Sequence, residues 1–357
     1  MQLGYFTMPL HPPGAPPADT LAHDLDQLET LDRLGFVEAW IGEHITSEWE
    51  NIPAPDLLIA QALVRTEKIR LGTGVSCLPN HDPMMLAQRI AQLDQMARGR
   101  LNWGIGSGGF PGDIELTGFK DQVGAQRQVT RDVLDAVLDL WGEARPGPRE
   151  HARWRYIVPE PNPALGIRLH MRPFQRPHPP IGVAGLGPKS DMLTLAGERG
   201  WIPMSINFVV PATLRMHWQT YSESAARAGR SVDRSEWRVS REVYIGETPA
   251  RARREVLDGT LGRDWREYFD PLLRANNMMM APKLDPAMPD DQVTVEYMAE
   301  NIWIVGDVDE VTEKLRRLHD EVGGFGTLLV IGHEWAPGPG WARSMELLAR
   351  EVLPRLP

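Results

Sequence analysis

A single cysteine, Cys77, stands among 357 residues, so the chain forms no internal disulfide and no thiolate metal cluster. A basic excess is missing too: 38 Lys and Arg face 48 Asp and Glu, for a formal net charge of -10. A surface that tracks nucleic-acid phosphates needs the opposite balance, so nucleic acid is not an expected partner. That balance leaves room for a local cationic site. No run of 18 apolar residues occurs, and no membrane span is expected. No basic n-region with an apolar h-region precedes the first apolar run at Gln2, so no signal peptide is expected and the cytoplasm is the default location. The ten histidines form neither H-x-x-x-H nor H-E-x-x-H, and no protein metal site is expected. A nucleophile elbow is absent as well, because Gly106-Ser107-Gly108 lacks the full G-x-S-x-G pattern.

What is present is an ordinary enzyme composition, with 42% hydrophobic and 24% charged residues. The length suits one elaborated barrel or two medium domains. Gln2 to Met8 is a short apolar run, and the proline-rich Pro9 to Pro17 is neither helix nor strand. Leu21, Leu25, Leu28, Leu31 and Leu34 then step by three and four, a helical stripe with Asp19 or Thr20 as N-cap and Gly35 as stop. Strand two is expected at Phe36 to Gly42, strand three at Ile69 to Val75 and strand four at Leu101 to Ile105. The connecting helices are expected at about Pro55 to Val64 and Met84 to Met96. A long helix runs through Val129 to Trp141. Strands five, six and seven follow at Ile181 to Ala184, Trp201 to Ser205 and Arg238 to Ile245, and strand eight at Leu328 to Ile331. Their helices are placed near Lys189 to Glu198, Pro211 to Ala228, Val308 to Glu321 and Trp341 to Val352. Strands alternating with helices through short connections are the signature of a parallel sheet, and eight such units favour a closed (β/α)8 barrel in one domain, 1–357.

Two interruptions break the rhythm, after strands four and seven. Residues 145–180 are rich in Pro and Arg and show no helical period, which reads as an extended or hairpin insertion. Residues 246–301 are too long for an ordinary connection and contain WREYF and a run of three methionines, Met278 to Met280. An extra helix pair on the barrel is one reading. A mobile lid over the barrel mouth is the sharper one.

Gly104-Ile105-Gly106-Ser107-Gly108-Gly109 matches G-x-G-x-x-G, but a dinucleotide fingerprint needs a helix to open at once, and Phe110-Pro111-Gly112-Asp113 follows instead. A loop whose backbone approaches a flat cofactor is the better fit. Gly185-Leu186-Gly187-Pro188-Lys189-Ser190 lies between strand five and a helix. Amides at a helix start make an anion site, where Pro188 suits a first-turn position and Lys189 adds a charge and Ser190 a hydroxyl; the bland alternative is a glycine-rich turn. Glu43 and His44 close strand two, and His333 follows strand eight. Residues at the carboxyl ends of barrel strands face the active mouth, although a lone histidine is more often structural.

The stretch GFVEAWIGEH (35–44), with IRLGTGVSCLPNHDP (69–83) and LDQMARGRLNWGIGSGG (93–109), resembles the amino-terminal half of the bacterial-luciferase-like flavin monooxygenases. LAGERG (195–200) before strand six keeps the same register, and the spacing with GEHITSEWENIP is nearest the limonene- and diketocamphane-type members. The resemblance implies a TIM barrel that binds reduced FMN and activates O2 as a C4a-peroxyflavin. Oxygenation of a small, largely apolar organic substrate would follow, either hydroxylation or insertion beside a ketone. It makes His44 the catalytic histidine, with Glu43 able to orient its ring; His333 is a candidate contact to substrate or flavin by the barrel rule alone, and a loop histidine is commonly just solvated. It places the flavin over a bulge at Thr73, Gly74 and Val75, often through a cis peptide, beside Gly106 and Ser107, with its phosphate on Gly185, Leu186, Gly187, Lys189 and Ser190. Luciferases proper carry E-H-H where this chain has Glu43-His44-Ile45, so no second histidine is carried over. No nicotinamide motif is present, so a separate NAD(P)H:flavin reductase is the expected FMNH2 source, and a homodimer the expected assembly. A deazaflavin-dependent oxidoreductase shares these features. A non-catalytic flavin-binding relative is disfavoured by the intact Glu43-His44 pair and the long insertion.

Overall fold

The computed structural model describes residues 1–120, 122–151, 153–335 and 338–357. β1 (Gln2–Thr7) leads to α1 (Pro17–Leu34), then β2 (Glu38–Ile41), α2 (Pro55–Arg65), β3 (Arg70–Cys77), α3 (Pro83–Ala97) and β4 (Leu101–Gly106). After β4 come a short α4 (Pro111–Leu116), the long α5 (Val123–Trp141) and an antiparallel hairpin of β5 (Gly147–His151) and β6 (Trp154–Val158). The barrel resumes with β7 (Ile181–Gly185), α6 (Asp191–Arg199), β8 (Ile202–Ser205), α7 (Pro211–Arg227) and β9 (Arg238–Arg241). β10 (Val243–Ile245) opens the second insertion, which holds α8 (Pro249–Asp258), α9 (Thr260–Asp264), a π-helical turn at Trp265–Phe269, α10 (Asp270–Ala275) and α11 (Val295–Asn301). β11 (Ile304–Gly306), α12 (Val308–Val322), β12 (Thr327–Ile331) and α13 (Gly340–Leu347) complete the chain.

Eight strands close in the order β1-β12-β9-β8-β7-β4-β3-β2, each parallel to its neighbours, which is the expected (β/α)8 barrel with insertions after its fourth and seventh strands. The leucine stripe of α1 packs inward through Leu25, Leu28 and Leu31, and Gly35 ends the helix in the left-handed conformation at φ 86°. Three local expectations are corrected. α1 starts at Pro17 rather than after Asp19 or Thr20, because proline is preorganised for a first helical position, and Thr20 turns its hydroxyl back to Pro17 O. Pro188 lies before α6, not in its first turn, and Ser190 is the N-cap. The run expected as strand seven, 238–245, splits at Glu242: β9 stays in the barrel while β10 pairs with β11, a strand that was not expected. A continuous apolar run does not reveal where its hydrogen-bonding partner changes.

The barrel interior is stacked in layers. At the amino-terminal end Arg238 makes a two-point ion pair with Glu38, at 3.0 and 3.1 Å, and Trp40 Nε1 donates to the same carboxylate at 3.0 Å. Above it the indole of Trp40 fills the barrel axis against Met204 and Leu329. Gly72 and Gly182 make room for it, since a Cβ at either position would stand within 2.8 Å of the ring. The layer above carries the mouth.

Candidate active site at the barrel mouth

His44 leaves β2 with its ring partly buried, and two carboxylates flank it. Nδ1 lies 3.1 Å from Asp113 Oδ2 and Nε2 lies 3.3 Å from Glu50 Oε2, while the face of the ring meets Phe110 at 4.8 Å between centroids. Asp113 also gathers the Ile45 and Thr46 amides and the Thr46 hydroxyl, so one carboxylate of α4 organises the whole turn after β2. Burial works against a charged His44. The hydrogen bond to Asp113 and the charges of Glu50, Asp113 and Glu43 outweigh it and raise the pKa above the ordinary histidine value. Burial also raises Asp113, but the bonds from His44, Thr46 and the two amides prevail and hold it below the usual carboxylate range. Glu50 is different: burial dominates and pushes it up, against the His44 charge and a hydrogen bond from Tyr268.

Glu43 does not orient His44. Its carboxylate accepts from Asn80 at 3.1 Å and pairs with His81 at 2.8 Å, both in the connection after β3. The partners of His44 lie instead in α4 and in the loop after β2, so these sequence neighbours diverge in space. Only the weaker pull of the Glu43 charge reaches the ring.

β3 bulges where expected. Thr73 pairs with Trp103 and Ser76 with Ile105, so Gly74 and Val75 together oppose the single Gly104, and the Gly74–Val75 peptide is cis. A side chain at Gly104 would collide with the Thr73 carbonyl, which is why the partner strand carries glycine there. The Thr73 hydroxyl donates to Gly104 O at 2.8 Å and accepts from Ser76 at 3.2 Å. Thr73 therefore braces the bulge and is buried beneath it. Val75 is the member that reaches partial exposure, beside Gly106.

Ser107, Leu186, Gly187, Lys189 and Ser190 line one cavity of about 650 Å³, with Gln126, Arg127, Thr130 and Arg131 of α5 on its opposite wall. Gln126 fixes the loop after β4, donating to Ser107 O at 2.6 Å, and Arg127 pairs with Asp191 at 3.2 Å. Ser190 Oγ caps α6 by accepting from Leu193 N at 3.4 Å, which leaves its hydrogen free to donate. Gly185 is buried as the last residue of β7. An i, i+4 array of polar and cationic residues opening α5 was the signal for this wall, and periodicity alone did not single it out. Lys189, Arg127 and Arg131 with the α6 N-terminus suit an anion. The bulge, the glycines at the end of β4 and this cavity together fit a flat ring that carries a phosphate at one end.

His333 departs from expectation. It is 2% exposed, stacked on Trp341, with Nδ1 2.8 Å from Asp264 Oδ2 of the second insertion. The insertion roofs this part of the rim and encloses the ring, so His333 is packed beneath α9 rather than open at the mouth. Asp113, Tyr268 and Asp264 were not anticipated, because each reaches its histidine or acid from a distant segment; Glu50 was missed although it lies in the same loop as His44, because an irregular loop has no period that reports its contacts. Among the described residues no group of His, Cys, Asp and Glu could hold a metal ion, and no helix is long and apolar enough to cross a membrane.

The comparisons agree with this geometry. Residues 1–323 match the family described as luciferase-like monooxygenase. The chain is 34% identical to 4-hydroxyprotoasukamycin monooxygenase of Streptomyces nodosus subsp. asukaensis over 99% of its length and 92% of the relative's. It is 32% identical to 3,6-diketocamphane 1,6-monooxygenase of Pseudomonas putida, over 100% of this chain and 98% of that one. Among solved structures, the oxygenating constituent of 3,6-diketocamphane monooxygenase from Pseudomonas putida, a type II Baeyer-Villiger monooxygenase in complex with FMN, superposes with a TM-score of 0.93, covering 100% of this chain and 99% of that one at 32% identity. The chain belongs to the luciferase-like monooxygenases, and diketocamphane and limonene monooxygenases are among its relatives in that family.

Proposed function

We propose that this protein is a monooxygenase that uses reduced FMN and O2 to oxygenate a small, largely apolar organic substrate. One observation carries the reading: His44, the Gly74–Val75 bulge, Gly106–Ser107 and the Gly185–Ser190 loop stand at the carboxyl ends of four consecutive barrel strands, β2, β3, β4 and β7. At a strand spacing of about 4.8 Å that arc runs roughly 14 Å, from the histidine to the anion loop. Val75 and Gly106 offer a surface for the ring, and Gly187, Lys189 and Ser190 hold the phosphate with Arg127 and Arg131 opposite. The chemistry that reduced FMN supplies there is the activation of O2. The chain's part is to exclude water beneath the second insertion and to move a proton at His44, whose flanking carboxylates favour its charged form.

The FMN-bound relative is named as an oxygenating constituent, which supports a separate NAD(P)H:flavin reductase as the source of reduced FMN. A homodimer is supported by an apolar stripe on two adjacent helices: Leu57 and Val64 of α2, 67% and 84% exposed, beside Met85 and Met96 of α3. Light scattering of wild type and of Val64→Glu tests it, and a wild-type monomer would remove the assignment.

Binding of FMN, riboflavin and a deazaflavin, followed by oxygen uptake with each reduced form, tests the function. Uptake with reduced FMN, coupled to oxygenation of a terpenoid-sized ketone or alkene, is the expected result. Tight deazaflavin binding with hydride transfer and no oxygen uptake would replace this reading with that of a dehydrogenase.

A further inference from the structure

Helix α7 lies behind the Gly185–Ser190 loop and takes two successive carbonyls from it. His217 Nε2 is 2.9 Å from Gly187 O, and the hydroxyl of Thr220, one turn later on the same face, donates to Pro188 O at 3.5 Å. On its other side His217 Nδ1 lies 3.0 Å from the Oγ of Ser205, the last residue of β8, and Trp237 Nε1 donates to that oxygen at 2.9 Å. Elementary chemistry fixes the direction of each proton. A carbonyl only accepts, so His217 Nε2 bears the hydrogen. An indole N–H only donates, so the Ser205 oxygen accepts from Trp237 and passes its own hydrogen to Nδ1. All three side chains are buried, with His217 1% exposed and Ser205 and Trp237 both 0%. The relay is complete with a neutral imidazole and has no place for a second ring proton. Burial, helped by the charge of Arg241 and opposed by the Gly187 and Leu186 carbonyls, pushes the His217 pKa down to about 4.

We infer that His217 is the positioning residue of the phosphate loop: by holding the Gly187 carbonyl inward, with Thr220 doing the same at Pro188, it turns the amide edge of the loop toward the cavity beside Lys189. A carbonyl left to swing outward would present its negative end to the phosphate and cancel part of the attraction of the amides and the α6 N-terminus. The inference rests on the reading of this loop as the FMN phosphate site. It adds that selectivity for FMN over riboflavin is set from behind, by a residue that never touches the ligand.

Two variants and two ligands test it. His217→Gln keeps an N–H donor for Gly187 O, and His217→Leu removes it. Wild type is expected to bind FMN well over tenfold tighter than riboflavin. His217→Leu should lose about tenfold of that preference, the scale of one loop amide's hydrogen bond to the charged phosphate, with riboflavin affinity changed less than about twofold, and His217→Gln should restore most of it. A wild type without preference for FMN would end the phosphate reading itself. A preserved preference in His217→Leu would end the positioning role alone. Should His217→Leu not fold, nitrogen-15 NMR of the wild-type ring decides: a neutral ring with hydrogen on Nε2 at pH 6 is expected. A ring bearing hydrogen on Nδ1, alone or with Nε2, would overturn the relay.

Discussion

The hydroxyl of Tyr268 donates to the carboxylate of Glu50, joining residues 218 positions apart. Tyr268 belongs to the π-helical turn of the second insertion, and Glu50 to the loop after β2, 3.3 Å from His44. The same ring stacks on Trp49 at 5.4 Å and its oxygen lies 3.3 Å from Ser47 Oγ. Burial and the nearby Glu50 push the phenol well above its ordinary pKa, so it acts as the donor throughout the working pH range. The insertion is therefore clasped to the loop that positions the histidine.

Replacing Tyr268 with Phe leaves the Glu50 carboxylate buried with one partner fewer. A loss of about 1–2 kcal/mol in stability is expected, with a further rise of the Glu50 pKa and a several-fold fall in turnover at nearly unchanged FMN affinity. Urea denaturation and steady-state product formation measure these. Unaltered values for both would disconnect the insertion from His44.

His44→Ala should keep FMN affinity within a fewfold and lower product formation by roughly 10²-fold or more, the usual scale of lost general acid-base help. Oxygen should still be consumed, so the ratio of product to oxygen is the sensitive readout. Full product yield would make His44 structural.

Asp113→Asn removes the carboxylate charge that favours charged His44. The limb of the pH-rate profile that belongs to His44 should move toward acid. Stability follows the same pair. The raised His44 contributes below its ordinary 6.5 and loses that contribution as pH rises through its folded value; the lowered Asp113 contributes above its ordinary 3.8 and loses that contribution as pH falls through its own. The deficit of the variant is therefore largest between pH 3.8 and 6.5, and a deficit independent of pH would discredit the pairing.

The lid reading of residues 246–301 also becomes more specific. α8 to α10 are helical, with Trp265 buried among Phe208 and Trp303, so movement is expected in 276–292, where Met280 and Leu284 are exposed. Limited proteolysis there should slow when FMN and substrate are added. Equal cutting with and without them would favour a fixed helical roof.

The barrel was legible because its signals are local: the α1 leucine stripe, the Gly and Pro punctuation, and His44 just past the end of β2. Gly72-Thr73-Gly74-Val75 marked the bulge for the same reason. The pairings that complete the site were hidden by chain distance. Asp113 is 69 residues from His44 and His217 is 30 from Gly187, and no periodicity reports such contacts. Glu43 misled through adjacency, since its partners Asn80 and His81 follow β3 and not β2. His333 was placed on the right strand end, but its burial depends on an insertion whose path the sequence does not disclose.

The closed strand order divides the rim into two semicircles. β2, β3, β4 and β7 carry every group assigned to contact the ring and its phosphate; β8, β9, β12 and β1 carry none of these, only the Ser205–His217 support behind the phosphate loop, and the second insertion grows from this half. Divergence thus has a seam to follow. A lineage can rebuild the roofed semicircle, and with it the choice of molecule to be oxidised, while the other semicircle is inherited intact.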